Sequence, residues 1–229
     1  MGIAQRYEQA RAEVRATCEQ AGRLPQGVTL VAVSKTVGPD GVEQAIVAGA
    51  QDFGENRPEQ LVQKAEAYPQ ARWHFIGNIQ SRQIRKIVQH AHLIHSLYED
   101  RHAAKIDAAA AELGKVQDVL LEVNVSGEQS KSGIAPDGLP ALAQFCAGLP
   151  HVRVRGLMTM APQGDLDTAR RAFAGLRQLA DELRFGMDDA QAQLFSELSM
   201  GMSEDWRIAI EEGATIVRIG RAIFSDDFA

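Results

Sequence analysis

The chain has 229 residues, 45% hydrophobic and 24% charged, with a net charge of −6. That acidic balance supplies no attractive field for nucleic acid or an anionic membrane surface. Two distant cysteines, Cys18 and Cys146, argue against a disulfide framework, and there is neither an apolar leader nor a run of about 18 apolar residues, so the expected compartment is the cytoplasm.

In chain order, residues 3–21 predict a helix, with Ile3, Tyr7, Ala10, Val14 and Cys18 spaced by three or four and Gly22 as its stop. Eight short apolar runs follow: VTLVAVSK (28–35), QDFGEN (51–56), RWHFIGN (72–78), AHLIHSLY (91–98), DVLLEVNVS (118–126), VRVRGLMTMA (152–161), LFSELSMG (194–201) and TIVRIGRAIF (215–224). Helical stretches separate them near 39–49, 58–67, 80–90, 100–113, 136–148, 165–185 and 203–213. Strands alternating with helices predict βαβ units and a parallel sheet, and eight of them fit an α/β fold of the closed (β/α)8 type. The expected organisation is one domain over 1–229, an N-terminal helix followed by a barrel over 28–224. An open doubly wound sheet is the alternative.

In a barrel the C-terminal strand ends carry the chemistry. Those ends supply Lys35, Glu55 and Asn56, His74 and Asn78, Asn124 and Ser126, Thr159, Ser199 and Ser203, and then Arg218, Gly220 and Arg221. An amine held away from water at Lys35 could attack a carbonyl and form a Schiff base; a snorkelling lysine in a salt bridge with Glu55 or a neighbour is the plainer reading. In SMGMSEDW, Ser203 reads as a helix N-cap, and the loops after strands seven and eight are a recurrent phosphate site in this fold. Gly220 in RIGRA would let a phosphate oxygen approach the backbone. Arg218 either pairs with a carboxylate such as Glu197 or donates to a heteroaromatic ring nitrogen. His74 reads as a packed, hydrogen-bonded or ligand-stacking residue. His90, His92 and His95 lack a completing ligand set, and a strand–helix joint would splay them, so no metal is expected. Lys131, in the loop after strand five, is a second amine if that loop covers the mouth. No G-x-G-x-x-G, P-loop or G-x-S-x-G occurs.

The segments AVSKT, FGEN, WHFIGNIQ, VNVSGEQSKSG, RGLMTM, LSMGMSEDW and VRIGRAIF, in this order and spacing, resemble the YggS/PROSC family of pyridoxal 5′-phosphate (PLP) homeostasis proteins, over about residues 28–224. The resemblance implies a stand-alone PLP barrel like that of alanine racemase. It implies that Lys35 forms the aldimine with PLP and that Ser203, Gly220 and the Arg221 backbone bind the phosphate. It implies further that Arg218 faces the pyridine nitrogen, that Asn56 and His74 line the pocket, and that Met200 is a cofactor-binding position. The chain departs from the common pattern at Val37, Arg57 and Ser81-Arg82-Gln83, which removes auxiliary lysines and leaves Lys131.

Three functions are weighed. A homeostasis protein would hold PLP on Lys35 for storage, delivery to PLP-dependent apoenzymes, or regulation of PLP and amino-acid pools, as a monomer without nucleic-acid or membrane partners. An amino-acid racemase would need a second base; of Tyr7, Tyr68 and Tyr98 only Tyr98 falls near a strand end. A Schiff-base aldolase acting on a phosphorylated substrate would use the same lysine and loops. A cation at the ring nitrogen disfavours pyridinium and weakens the ring as an electron sink, which favours the first.

Overall fold

Eight parallel strands close on themselves in sequence order, β1 to β8, with β8 returning to β1. The computed structural model describes residues 1–128, 131–162 and 164–226. The strands are β1 (Thr29–Val33), β2 (Asp52–Glu55), β3 (Arg72–Phe75), β4 (Leu93–Leu97), β5 (Gln117–Glu122), β6 (Val152–Met158), β7 (Glu197–Ser199) and β8 (Ile216–Ile219). Helices α1 (Ile3–Gln20), α2 (Pro39–Val47), α3 (Pro58–Ala67), α4 (Ile84–His90), α5 (Asp100–Glu112), α6 (Leu139–Ala147), α7 (Leu166–Phe185), α8 (Asp189–Leu194), α9 (Trp206–Glu211) and α10 (Arg221–Phe224) surround them. The closed barrel replaces the open-sheet alternative.

Period-two alternation divides the strand residues between two cores. Val31, Val33, Leu93, Leu120, Met158 and Ile216 pack together inside the barrel. Their neighbours Ala32, Phe53, Trp73, Phe75, Ile94, Leu121 and Val217 belong to the larger core between sheet and helices. The α1 stripe of Tyr7, Ala10, Val14 and Cys18 is buried in that second core, against α2, α9 and α10. The guanidinium of Arg6 ties α1 to the chain end, donating to the Ile223 carbonyl at 2.7 Å.

Several boundaries differ from expectation. The eighth run breaks after Ile219, and residues 221–224 form a helical turn capped by Gly220. A Cβ on Gly220 would stand 3.2 Å from the Val33 carbonyl oxygen, so the turn is folded tightly over β1. The seventh strand is only three residues, and 189–194, read as connection and strand, is α8. In β6 the register slips opposite Val119–Leu120, and Gly156 occupies the irregularity at φ +151°, where a Cβ would lie 1.9 Å from the Glu197 oxygen. Only glycine fits there.

Candidate functional site

A cavity of about 940 Å³ opens at the C-terminal strand ends. Lys35, Asn56, Ser203, Arg218, Gly220 and Arg221 all line it, so six positions from four strand ends meet at one mouth. His74 and Met200 do not line it. Met200 points outward into the sheet–helix core, because it alternates with inward-facing Ser199; Met202 lines the cavity instead. His74 does point inward, but one layer below Ile76, which forms part of the wall. Lys131 is half-buried in the loop after β5 and its side chain is not among the lining groups; Gln129 and Ser130 beside it lie outside the described residues. That loop is joined to the one after β3 by a 3.3 Å hydrogen bond from Ser132 Oγ to Asn78 Oδ1.

Lys35 stands two residues past β1, exposed to solvent at the mouth. It is not shielded from water, and it does not pair with Glu55. Glu55 faces the helices, since Asp52, Gly54 and Asn56 take the inward positions of the same strand. There its Oε1 receives Lys64 Nζ at 2.5 Å and Ser34 Oγ at 2.7 Å, and Lys64 Nζ donates to the Ser34 carbonyl at 2.9 Å. Both ion-pair side chains are buried. This buried knot fixes the residue immediately before Lys35 and leaves the Lys35 amine without an ion-pair partner among the described residues.

The loops after β7 and β8 form the side of the cavity next to β1. Ser203 is not a helix cap, because α9 starts only at Trp206 with Asp205 before it. Residues 203–205 form a turn, in which Met202 N donates to Asp205 Oδ1 at 2.5 Å. Ser203 Oγ instead faces the next loop, accepting from Gly220 N at 3.4 Å. The result is a pair of backbone turns edge to edge, with a hydroxyl between them.

Arg218 lies on β8 opposite Val31 of β1, nearly fully buried at the cavity floor. Its Nη1 donates to Ser199 Oγ at 2.6 Å and its Nη2 to the Thr159 carbonyl at 3.1 Å. Glu197, the expected partner, is taken by Thr215 Oγ1 at 2.5 Å. Burial pulls Arg218 down to about 10, against the pull of Asp205 and Glu122, so the guanidinium remains a cation at neutral pH. Burial likewise pushes the Glu122 carboxyl up to about 7, against Arg218. Glu122 was not singled out in the sequence. It shares the inward register of Leu120, and that alternation was the available signal. The three histidines of HAHLIH diverge: His90 is on α4, His92 is exposed, and His95 is inside the barrel.

Comparison with known proteins agrees with this fold. Residues 9–227 match the family model described as alanine racemase, N-terminal domain. The chain is 44% identical over 225 residues to a pyridoxal phosphate homeostasis protein of Pseudomonas aeruginosa, covering 97% of this chain and 94% of that one. A protein of the same name from Aquifex aeolicus is 39% identical, with 99% of both chains covered. PipY of Synechococcus elongatus, solved with PLP bound, superposes with a TM-score of 0.80 at 34% identity, covering 97% of this chain and all of that one. An alanine racemase of Clostridium difficile shares the fold at TM-score 0.73 and 12% identity, with 57% of its length covered. Sequence and fold agree: the chain belongs to the pyridoxal phosphate homeostasis protein family and carries the alanine racemase N-terminal domain.

Proposed function

We propose that this protein binds PLP reversibly at the barrel mouth, with Lys35 as the covalent anchor, and serves to store PLP or deliver it to PLP-dependent apoenzymes. The residues present fit the group. The cavity holds an amine with no ion-pair partner among the described residues, a hydroxyl beside the Gly220 turn, and a buried cation on its floor. Those three features match an aldehyde, a phosphate and a heteroaromatic nitrogen. When bound, PLP supplies an electrophilic aldehyde that condenses reversibly with amines.

The chain's own residues account for retention without strong catalysis. The Lys35 amine would bond the aldehyde carbon with loss of water, and its exposure leaves the bond open to hydrolysis or to a competing amine. Ser203 Oγ and the Gly220 backbone would take phosphate oxygens at the start of the 221–224 turn. Arg218 would donate to the ring nitrogen and, being cationic, oppose a proton there. Tyr98, the racemase reading's candidate base, does not line the cavity. The aldolase reading gives Arg218 no ring nitrogen to meet.

One observation carries the proposal: the Lys35 amine, the Ser203–Gly220 turns and the Arg218 cation share a single cavity. The test is to add PLP to the purified protein. A visible absorption band should appear, become fixed by borohydride on the peptide containing Lys35, and be absent in Lys35→Ala. A band that persists in Lys35→Ala, or no band at all, rejects it.

A further inference from the structure

Barrel interiors are usually filled by branched apolar side chains. Here one side of the interior carries a continuous polar column instead. Arg218 Nη1 donates to Ser199 Oγ at 2.6 Å, Ser199 Oγ lies 2.9 Å from His95 Nδ1, His95 Nε2 lies 2.8 Å from His74 Nδ1, and His74 Nε2 lies 3.1 Å from Asp52 Oδ1. At the far end Arg72 grips Asp52 with two bonds, of 2.7 and 2.6 Å. Asp52 and Arg72 are the first residues of β2 and β3, at the barrel end opposite the cavity. The column therefore joins the two mouths.

The direction of every bond follows from its ends. A guanidinium can only donate, and a carboxylate can only accept. Ser199 Oγ accepts from Arg218, and its remaining side-chain partner among the described residues is His95 Nδ1, so its hydroxyl donates there. His95 then carries its proton on Nε2 and donates to His74 Nδ1. His74 in turn carries a proton on Nε2 and donates to Asp52. One extra proton on the imidazole pair would reverse the inner bonds and strand the Ser199 hydroxyl hydrogen without an acceptor. Burial holds His95 itself well below the usual histidine range, and the nearby His74, Arg218 and His92 act in the same direction. Other groups facing the column are the His92 ring, 5.8 Å from that of His74, the Tyr7 hydroxyl near Asp52, and near Arg218 the carboxyls of Glu122 and Asp205.

We propose that Ser199, His95 and His74 are positioning residues, forming a one-way hydrogen-bonded relay that locks the Arg218 guanidinium toward the cavity and anchors it to the Asp52–Arg72 pair at the opposite end of the barrel. An apolar filling would occupy the same space without burying polar groups. Among the described residues of the relay, Arg218 is the one that lines the cavity, and it spends two of its five donors on Ser199 and Thr159. The proposal rests on the PLP reading for the identity of that ligand, but not for the relay itself.

The test uses Ser199→Ala, with Ser199→Thr as the conservative restoration. In ligand-free protein, imidazole nitrogen NMR should show His95 and His74 as neutral Nε2–H tautomers, and the Arg218 guanidinium protons should rotate slowly. Ser199→Ala should change the His95 tautomer signal, speed the Arg218 rotation and weaken PLP binding about tenfold, as loss of one charge-assisted hydrogen bond does. Ser199→Thr should restore all three. A folded Ser199→Ala with wild-type imidazole and guanidinium signals overturns the relay. Changed signals with wild-type PLP affinity overturn its role in positioning Arg218. If the wild type binds no PLP, the PLP reading fails, and the ligand-free arm still decides whether Ser199 restrains Arg218. His95→Gln gives an independent break should Ser199→Ala fail to fold, with the same expected loss of Arg218 restraint; wild-type restraint there also overturns the relay.

Discussion

Lys64 Nζ lies 2.5 Å from Glu55 Oε1 and 2.9 Å from the Ser34 carbonyl, directly behind the residue that presents Lys35. Both charges are withdrawn from water, and the second carboxylate oxygen of Glu55 has no hydrogen-bond partner among the described residues. Removing one partner of such a pair leaves an uncompensated buried charge. Lys64→Met should therefore cost about 3–5 kcal/mol in denaturant unfolding. The double variant Lys64→Met with Glu55→Gln should recover most of that loss, since neither charge then remains. A single variant of wild-type stability would show the pair to be solvated.

Glu122 governs a pH dependence. Burial raises its carboxyl from the ordinary 4.5 to about 7, with Arg218 opposing. The folded protein thus holds a proton that the unfolded chain has lost across that interval. The stability this contributes is complete below about pH 4.5 and disappears as pH rises through about 7, a fall on the order of 3 kcal/mol. Glu122→Gln should flatten this part of the curve when unfolding is followed at a series of pH values. An unchanged slope in the variant would assign the effect to other groups.

Gly201 sits at φ +92°, where a Cβ would come within 2.6 Å of the Ala209 Cβ and 2.8 Å of the Trp206 Cα. Left-handed strain and overpacking act together in Gly201→Ala, for an expected loss of about 2–4 kcal/mol. The backbone of Gly201 also accepts from Arg218 N at 3.0 Å, and Ser203 lies two residues on. Inorganic phosphate binding, followed by calorimetry, should weaken along with thermal stability. Full retention of both would mean that the turn relaxes without cost.

The site was only partly legible in the sequence. Lys35, Asn56, Ser203, Gly220 and Arg221 reach the cavity because each follows a strand, Arg218 because it points inward near the end of β8, and a parallel barrel delivers all such ends to one face. His74 and Met200 needed more than that rule. Inward or outward pointing follows from alternation, but depth within the barrel depends on strand stagger, which no single run displays. His74 falls one layer too deep, and Met200 is on the outward face. The Glu55 pairing went astray for a related reason: its partner Lys64 comes from the following helix, and only the docking angle of α3 on β2 brings them together.

What the sequence alone determined was the alternation of eight apolar runs with helical stretches, hence a parallel sheet of βαβ units with its polar strand ends on one side; the structure decided between an open sheet and closure of β8 on β1. The alternation and the sheet are consequences of local periodicity and of a chain that must bury its runs. Only the tertiary structure decided the relay from Arg218 to Asp52 and the knot behind Lys35. Both join side chains from separate strands and helices at hydrogen-bond distance. Such contacts depend on sub-ångström placement set by packing, and a one-dimensional pattern carries no record of it.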